Sequence, residues 1–176
     1  EVVIIPYDPE WPNLFAYLGG ALRAGLGDIA LRIDHIGSTS VPGLDAKPII
    51  DVQISVAALE PLSAYRGQLE SLVFRADNTE LTKRYFREPP GSRRTHIHVR
   101  RAGSFSEQFA LLFRDYLRAH AEDARCYAKV KYRLAEAYRH DRHRYTDAKI
   151  PHVWEVMAEA DRWSQDVGWE PGPTDA

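Results

Sequence analysis

Ile36-Gly37-Ser38 is followed, after twelve residues, by Asp51-Val52-Gln53-Ile54. This is where residue types and spacing could do chemistry. Glycine lets a backbone turn sharply and approach a ligand closely. A short helix starting at Ser38 to Ser40 would aim free N–H groups and its positive end outward, which suits phosphate. The hydroxyls of Ser38, Thr39 and Ser40 would be further donors. Asp51, on the adjacent strand, could hold a magnesium ion bridging the same phosphates. Pro42 and Gly43 would shape the loop, and Lys47 could neutralise charge. The same residues also read as a plain turn between two strands, with Asp51 capping a neighbouring loop.

The elements that must position these groups are legible in outline. Leu31 to Ile36 is a strand candidate, and Ile49 to Val56 is a second, with Ile50, Val52 and Ile54 alternating against Asp51, Gln53 and Ser55. Before them, Asp8-Pro9 predicts an N-cap with proline at the first helical position, followed by Trp11, Leu14, Phe15, Leu18 and Leu22 at helical spacing. Pro61 starts a helix to about Leu72. Residues 74 to 87 read as two strands around Asp77-Asn78, and Thr95 to Arg101 as another. From Ser104, whose capping box is completed by Glu107, the pattern turns helical. Helices are expected to about Ala119, from Glu122 to about His140, and from Pro151 to about Gln165, all packing on the sheet. The expected class is α/β (α+β), a small mixed sheet flanked by helices. Residues 1–165 are expected to form one domain and 166–176 a loose tail.

The chain has 176 residues, 44% hydrophobic and 27% charged, and a formal net charge of -2. Its charge calls for neither nucleic acid nor an anionic membrane as partner. No apolar run approaches the roughly 20 residues of a membrane helix. A single cysteine, Cys126, cannot form an internal disulfide, which predicts a reducing, cytoplasmic setting. No signal peptide is visible, and a start at Glu1 suggests a trimmed N-terminus.

The stretch His35 to Gln53, HIGSTSVPGLDAKPIIDVQ, resembles the signature of the GrpB family, within the nucleotidyltransferase superfamily. The likeness extends to Tyr7-Asp8-Pro9-Glu10-Trp11-Pro12, Arg84-Tyr85-Phe86-Arg87, Thr95-His96-Ile97-His98-Val99 and Arg114-Asp115-Tyr116-Leu117-Arg118. Tyr127 to Lys131 and Tyr145 to Lys149 fit as well. A similar domain is appended to some bacterial dephospho-CoA kinases. The resemblance implies a nucleotidyltransferase-type fold whose cleft takes a nucleotide or other phosphorylated small molecule. It also implies Mg2+ or Mn2+ as cofactor, and transfer of a nucleoside monophosphate to a hydroxyl acceptor.

One departure matters. The superfamily strand carries carboxylates at i and i+2, which with a third hold two metal ions; here the pair is Asp51 and Gln53. His96 and His98 stand on the later strand instead. With Asp51 they could bind a transition metal, or they form a polar face hydrogen-bonded to its neighbours. Gln53 therefore supports an alternative, a catalytically inactive ligand- or partner-binding module. Arg84 and Arg87 are candidate phosphate grips, favoured over Arg93 and Arg94. Lys131, one helical turn after Tyr127, could reach a phosphate or simply be exposed, and Tyr145 and Lys149 are similar cases. Arg114-Asp115 reads as an internal ion pair, and Trp11, Trp154 and Trp163 as packing residues.

Overall fold

A computed structural model describes residues 1–70, 73–74 and 81–176 of the chain. An N-terminal arm bridges to the loop that precedes Ile50 through Ile5 and Ala46. The elements are α1 (Trp11–Leu26), β1 (Arg32–Ile36), β2 (Ile50–Val56), α2 (Ser63–Arg66), β3 (Val73–Phe74), β4 (Lys83–Arg87), β5 (Thr95–Arg101), α3 (Phe105–Ala119), α4 (Ala121–Ala137) and α5 (Arg142–Val167). The sheet runs in the order β1-β2-β5-β4-β3, with β2 and β5 parallel and the other pairs antiparallel. The expected mixed sheet with a helical C-terminal half is therefore present. The Asp77-Asn78 turn lies outside the described residues.

Strand pleating sorts the sheet into two unlike faces. Register pairs Ile33 with Ile54 and His35 with Val52, and Val52 and Ile54 in turn with Ile97 and Val99. These residues, with Phe86, bury against Trp11, Phe15, Leu22 and Leu26 of α1. On the other face, register pairs Asp34 with Gln53, Ile36 with Asp51, Asp51 with His96, Gln53 with His98 and Ser55 with Arg100. Helix α3 covers part of this polar face and α4 and α5 pack against α3, burying Leu111, Leu117, Ala128 and Met157.

Several helix ends differ from the sequence reading. Helix α1 begins at Trp11, with Pro12 in its first turn, because Asp8 and Pro9 form a preceding turn in which Asp8 Oδ1 accepts the Glu10 N–H at 2.9 Å. Helix α5 starts nine residues before Pro151, at Arg142, where the Asp141 side chain accepts the Arg144 N–H. Proline removes one N–H and crowds the preceding turn, but a long helix packed along two others retains enough bonds to continue. The capping box is half realised. Ser104 accepts the Glu107 N–H at 3.4 Å, while the Glu107 carboxylate turns to the Gly103 N–H at 2.7 Å and the Ser55 hydroxyl. Trp154, read as a packing residue, is 54% exposed.

The expected loose tail is also tied down at its end. Thr174 Oγ1 accepts the Ile33 N–H at 2.8 Å, and Asp175 accepts the His35 N–H at 2.9 Å. Arg114, only 3% exposed, clamps this edge: it donates to the His35 carbonyl at 3.2 Å and to Asp175 at 2.8 Å, with Asp115 on its Nε at 2.7 Å. The expected Arg114–Asp115 pair is present and does fix helix to sheet.

Two predictions follow from these constraints. Arg114→Ala leaves Asp34 with Arg32 but removes the buried guanidinium from the His35 carbonyl, Asp115 and Asp175, and should lower unfolding free energy by about 1–3 kcal/mol in urea denaturation. Gly37 has φ 70°, and a Cβ there would stand 2.7 Å from Asp51 Oδ2, so Gly37→Ala should cost about 1–3 kcal/mol in the same measurement.

Candidate functional site

The cleft lies between the polar sheet face and the C-terminal helices, as a cavity of about 450 Å3. Its floor is Gly37, Ser38, Asp51, His96, His98 and Arg100. Its other wall is one face of α5, where Arg142, Tyr145, Thr146, Lys149 and Val153 recur at three- and four-residue steps. Tyr127 and Lys131 of α4 and Phe109, Ala110 and Phe113 of α3 complete it, with Lys47 entering from the loop.

At the floor, Gly37 turns the chain out of β1 and precedes a single 3₁₀ turn, Ser38–Ser40. That turn is too short to carry much helix dipole. Its hydroxyls divide the sequence-predicted set. Ser38 faces the cavity. Thr39 also lines the cavity, but its buried hydroxyl donates to the Ile49 carbonyl at 3.1 Å and so accepts from His35 Nε2 at 3.0 Å. Ser40 is buried, donates to the Gly37 carbonyl at 2.6 Å and does not line the cavity. Thr39 and Ser40 therefore hold the loop's shape, and their hydroxyls are spent on it. His35, read only as part of the signature, is stacked on Phe15 at 4.8 Å; burial first, then the Arg118 charge, pushes it down to about 4, so it is neutral.

Asp51 accepts from both histidines, with Oδ1 at 3.1 Å from His96 Nδ1 and 3.4 Å from His98 Nε2. Burial acts to raise the Asp51 carboxyl, but the two imidazole contacts outweigh it and hold the group well below the usual carboxylate range. Burial lowers His98, against the pull of Asp51. Tyr85 packs edge-on against both imidazoles, its ring 5.3 Å from each.

Gln53 is fully buried; its Oε1 accepts from Arg100 and its Nε2 donates to the Glu107 carbonyl at 3.4 Å. The two-ion carboxylate site implied by the resemblance therefore does not fit. Position 53 offers no charge, and its oxygen already holds a guanidinium.

The cationic wall is denser than the sequence indicated. Lys131 is 2% exposed and donates to the Asp45 carbonyl, its Nζ 5.0 Å from the Tyr127 ring centre. Lys47 and Lys149 lie over Tyr145 at 5.0 and 5.6 Å. Burial first, then repulsion from Lys149, brings Lys131 down to about 7 and Lys47 to about 8; burial lowers Lys149 as well. Arg84 and Arg87 do not line the cavity. Arg84 pairs with Val99, so it is on the α1 side, where it meets Glu60 at 2.6 Å; Arg87 is at the sheet's rim with Glu88 at 3.1 Å. Sequence reasoning missed Arg100 and Arg142. Arg100 was signalled by parity with His96 and His98, whereas Arg142 was hidden by the misplaced start of α5.

Comparisons with known proteins bear on the family and the fold. The model of the GrpB protein family matches residues 1–159. The chain is 39% identical over 166 residues to the UPF0157 protein PA4798 of Pseudomonas aeruginosa, covering 91% of this chain and 68% of that one. It is 32% identical over 195 residues to a dephospho-CoA kinase of Mycobacterium tuberculosis, covering 96% of this chain and 48% of the kinase. The crystal structure of GrpB from Enterococcus faecalis superposes with TM-score 0.82 at 31% identity, covering 92% of this chain and 99% of that chain. A cytoplasmic RNA terminal U-transferase shares the fold alone, with TM-score 0.54 and 14% identity over 75% of this chain and 43% of its own. With the family model spanning nearly the whole sequence, and with a solved relative of the same fold, the chain belongs to the GrpB family.

Proposed function

We propose that the cleft binds a nucleotide or other phosphorylated small molecule, with the anionic end held by Lys47, Lys131, Lys149 and Arg142. The observation that carries this reading is the gathering of Lys47, Lys131 and Lys149 on one cavity, where burial lowers all three and repulsion from Lys149 lowers Lys47 and Lys131 further. Cations held that close without a matching carboxylate cage are stabilised by a polyanion that neutralises them. Tyr127, Tyr145, Phe109 and Phe113 supply aromatic surface beside the charge, which suits a base or another flat ring. No helix among the described residues is long and apolar enough to cross a membrane.

Transfer of a nucleoside monophosphate to a hydroxyl acceptor is the second reading. It is favoured by Asp51, which is kept ionised on the cavity floor against the Gly37 turn. Gln53 favours the plain binding module instead. Turnover of a nucleoside triphosphate that is lost in Asp51→Asn supports transfer; tight binding without turnover supports the module.

Thermal denaturation with a panel of nucleotides and inorganic triphosphate tests the binding site. A ligand at a hundred times its dissociation constant adds about 2.7 kcal/mol and a clear rise in Tm. Lys149→Ala, at a partly buried α5 position on the cavity wall, should weaken that ligand by roughly tenfold or more without unfolding the protein. If no phosphorylated compound shifts Tm, the reading fails.

The lysines also set a pH dependence. Each is depressed in the folded protein, so holding it charged costs stability below about pH 7, unfolding takes up protons above that, and the cost is relieved as pH rises toward the ordinary lysine value near 10.5. Anion binding has the opposite sign, because it needs the protonated forms. Calorimetric affinity for inorganic triphosphate should therefore fall by roughly tenfold or more between pH 6.5 and 9.

A further inference from the structure

We propose that Asp51, His96 and His98 form a centre for a single first-row transition-metal ion, and that the Arg100 guanidinium held by Gln53 takes the place of a second ion. The role given to Arg100 rests on the phosphorylated-ligand reading above; the metal centre does not.

The three side chains come from neighbouring positions on β2 and β5, and the parallel register that pairs Asp51 with His96 and Gln53 with His98 puts all three on the cavity side. One atom from each, with the closest pairs at 3.1 and 3.4 Å, lies within 4.8 Å of the others. Two donors sharing one ion at about 2.0–2.2 Å stand about 2.9–3.5 Å apart, so the Asp51–His96 and Asp51–His98 spacings already suit a shared ion. A rotation of one imidazole brings in the third edge. Three protein ligands leave the remaining coordination positions open, and here they open toward Gly37, Ser38 and the lysine wall.

The donor set selects the ion. Two imidazoles and one carboxylate suit zinc, cobalt, iron or manganese, whereas magnesium prefers oxygen donors and retains its waters. Tyr85, edge-on to both rings, limits their rotation from the side away from Asp51 and orients the donors. Position 53 cannot complete a second site, because its amide oxygen holds Arg100 and its amide nitrogen is turned to the Glu107 carbonyl. Arg100, two residues beyond His98 on the same face, lines the same cavity. A guanidinium there brings fixed positive charge and a fork of donors to a phosphate, which a second ion would otherwise supply.

The test uses the full chain with any affinity tag removed and metals stripped with a chelator. Titration with Co2+ should give one equivalent of binding with a visible d–d band, and Zn2+ should displace it while millimolar Mg2+ does not. Asp51→Asn, His96→Ala and His98→Ala, checked for folding by circular dichroism, should each weaken Co2+ by tenfold or more, and Arg125→Ala, at an exposed α4 position outside the cavity, should leave it unchanged. Absence of a stoichiometric Co2+ site in the wild type, ready displacement by Mg2+, or folded histidine variants that bind as well as wild type would each overturn the metal centre. The Arg100 arm is read with inorganic triphosphate. Arg100→Met should retain Co2+ and lose at least tenfold in triphosphate affinity, and unchanged triphosphate affinity would overturn its role. Failure of triphosphate to bind the wild type strikes the ligand reading and leaves the Co2+ result standing.

Discussion

The whole arrangement depends on a polar sheet face that is buried and must be satisfied. Buried polar groups cost free energy unless each has a partner. In β1, β2 and β5 the outward-pointing set includes Asp34, Gln53, Ser55 and Arg100, and three of these four are fully buried. Each has a partner: Asp34 in Arg32 along β1, Gln53 in Arg100 across the sheet, and Ser55 in Glu107 of α3. Helix α3 can close over this face only because Glu107 and Arg114 bring the complementary groups. The apolar layer under α1 supplies the hydrophobic stabilisation, and the polar layer supplies the register.

Where α3 stops covering that face, the same alternation continues into open space and becomes the cleft. Asp51, His96 and His98 are the next members of the rows that contain Gln53 and Arg100. The site is thus the uncovered end of a structural polar layer, and Gln53 belongs to both. It is tied to Glu107 on the covered side and to Arg100 on the open side. A carboxylate at 53 would hold a metal but would also face the Glu107 carbonyl, and glutamine answers that carbonyl with an N–H.

The cleft's electrostatics are divided. Its floor carries one carboxylate bracketed by imidazoles, and its roof carries lysines whose positive charge is partly suppressed by burial. Such a cavity discriminates by charge distribution along a ligand, favouring one that is anionic on the helix side. Because the roof comes from α4, α5 and the Lys47 loop, its shape depends on how those helices pack, and that packing is pinned by Lys131 and Tyr132 to Asp45.

Pattern and signature alone identified β2 and β5, the Gly37 turn, the capping serine of α3, the family and the floor residues other than Arg100, since strand alternation and a steric need for glycine are local properties. Parity could also have ruled out Arg84, which is an odd number of residues from Arg87 and so on the opposite face of β4. What the sequence could not decide was where hydroxyls and cations end up. Thr39 and Ser40 were read as phosphate donors, but the fold buries them on local carbonyls. Lys131 left two readings open, and only the packing of α4 against the loop at Asp45 turned it inward. Arg142 joined the wall because helix packing carries α5 through Pro151, against the local tendency of proline to end it. Backbone geometry is written in short-range spacing, whereas the partner that a polar side chain finds is set by distant chain brought beside it.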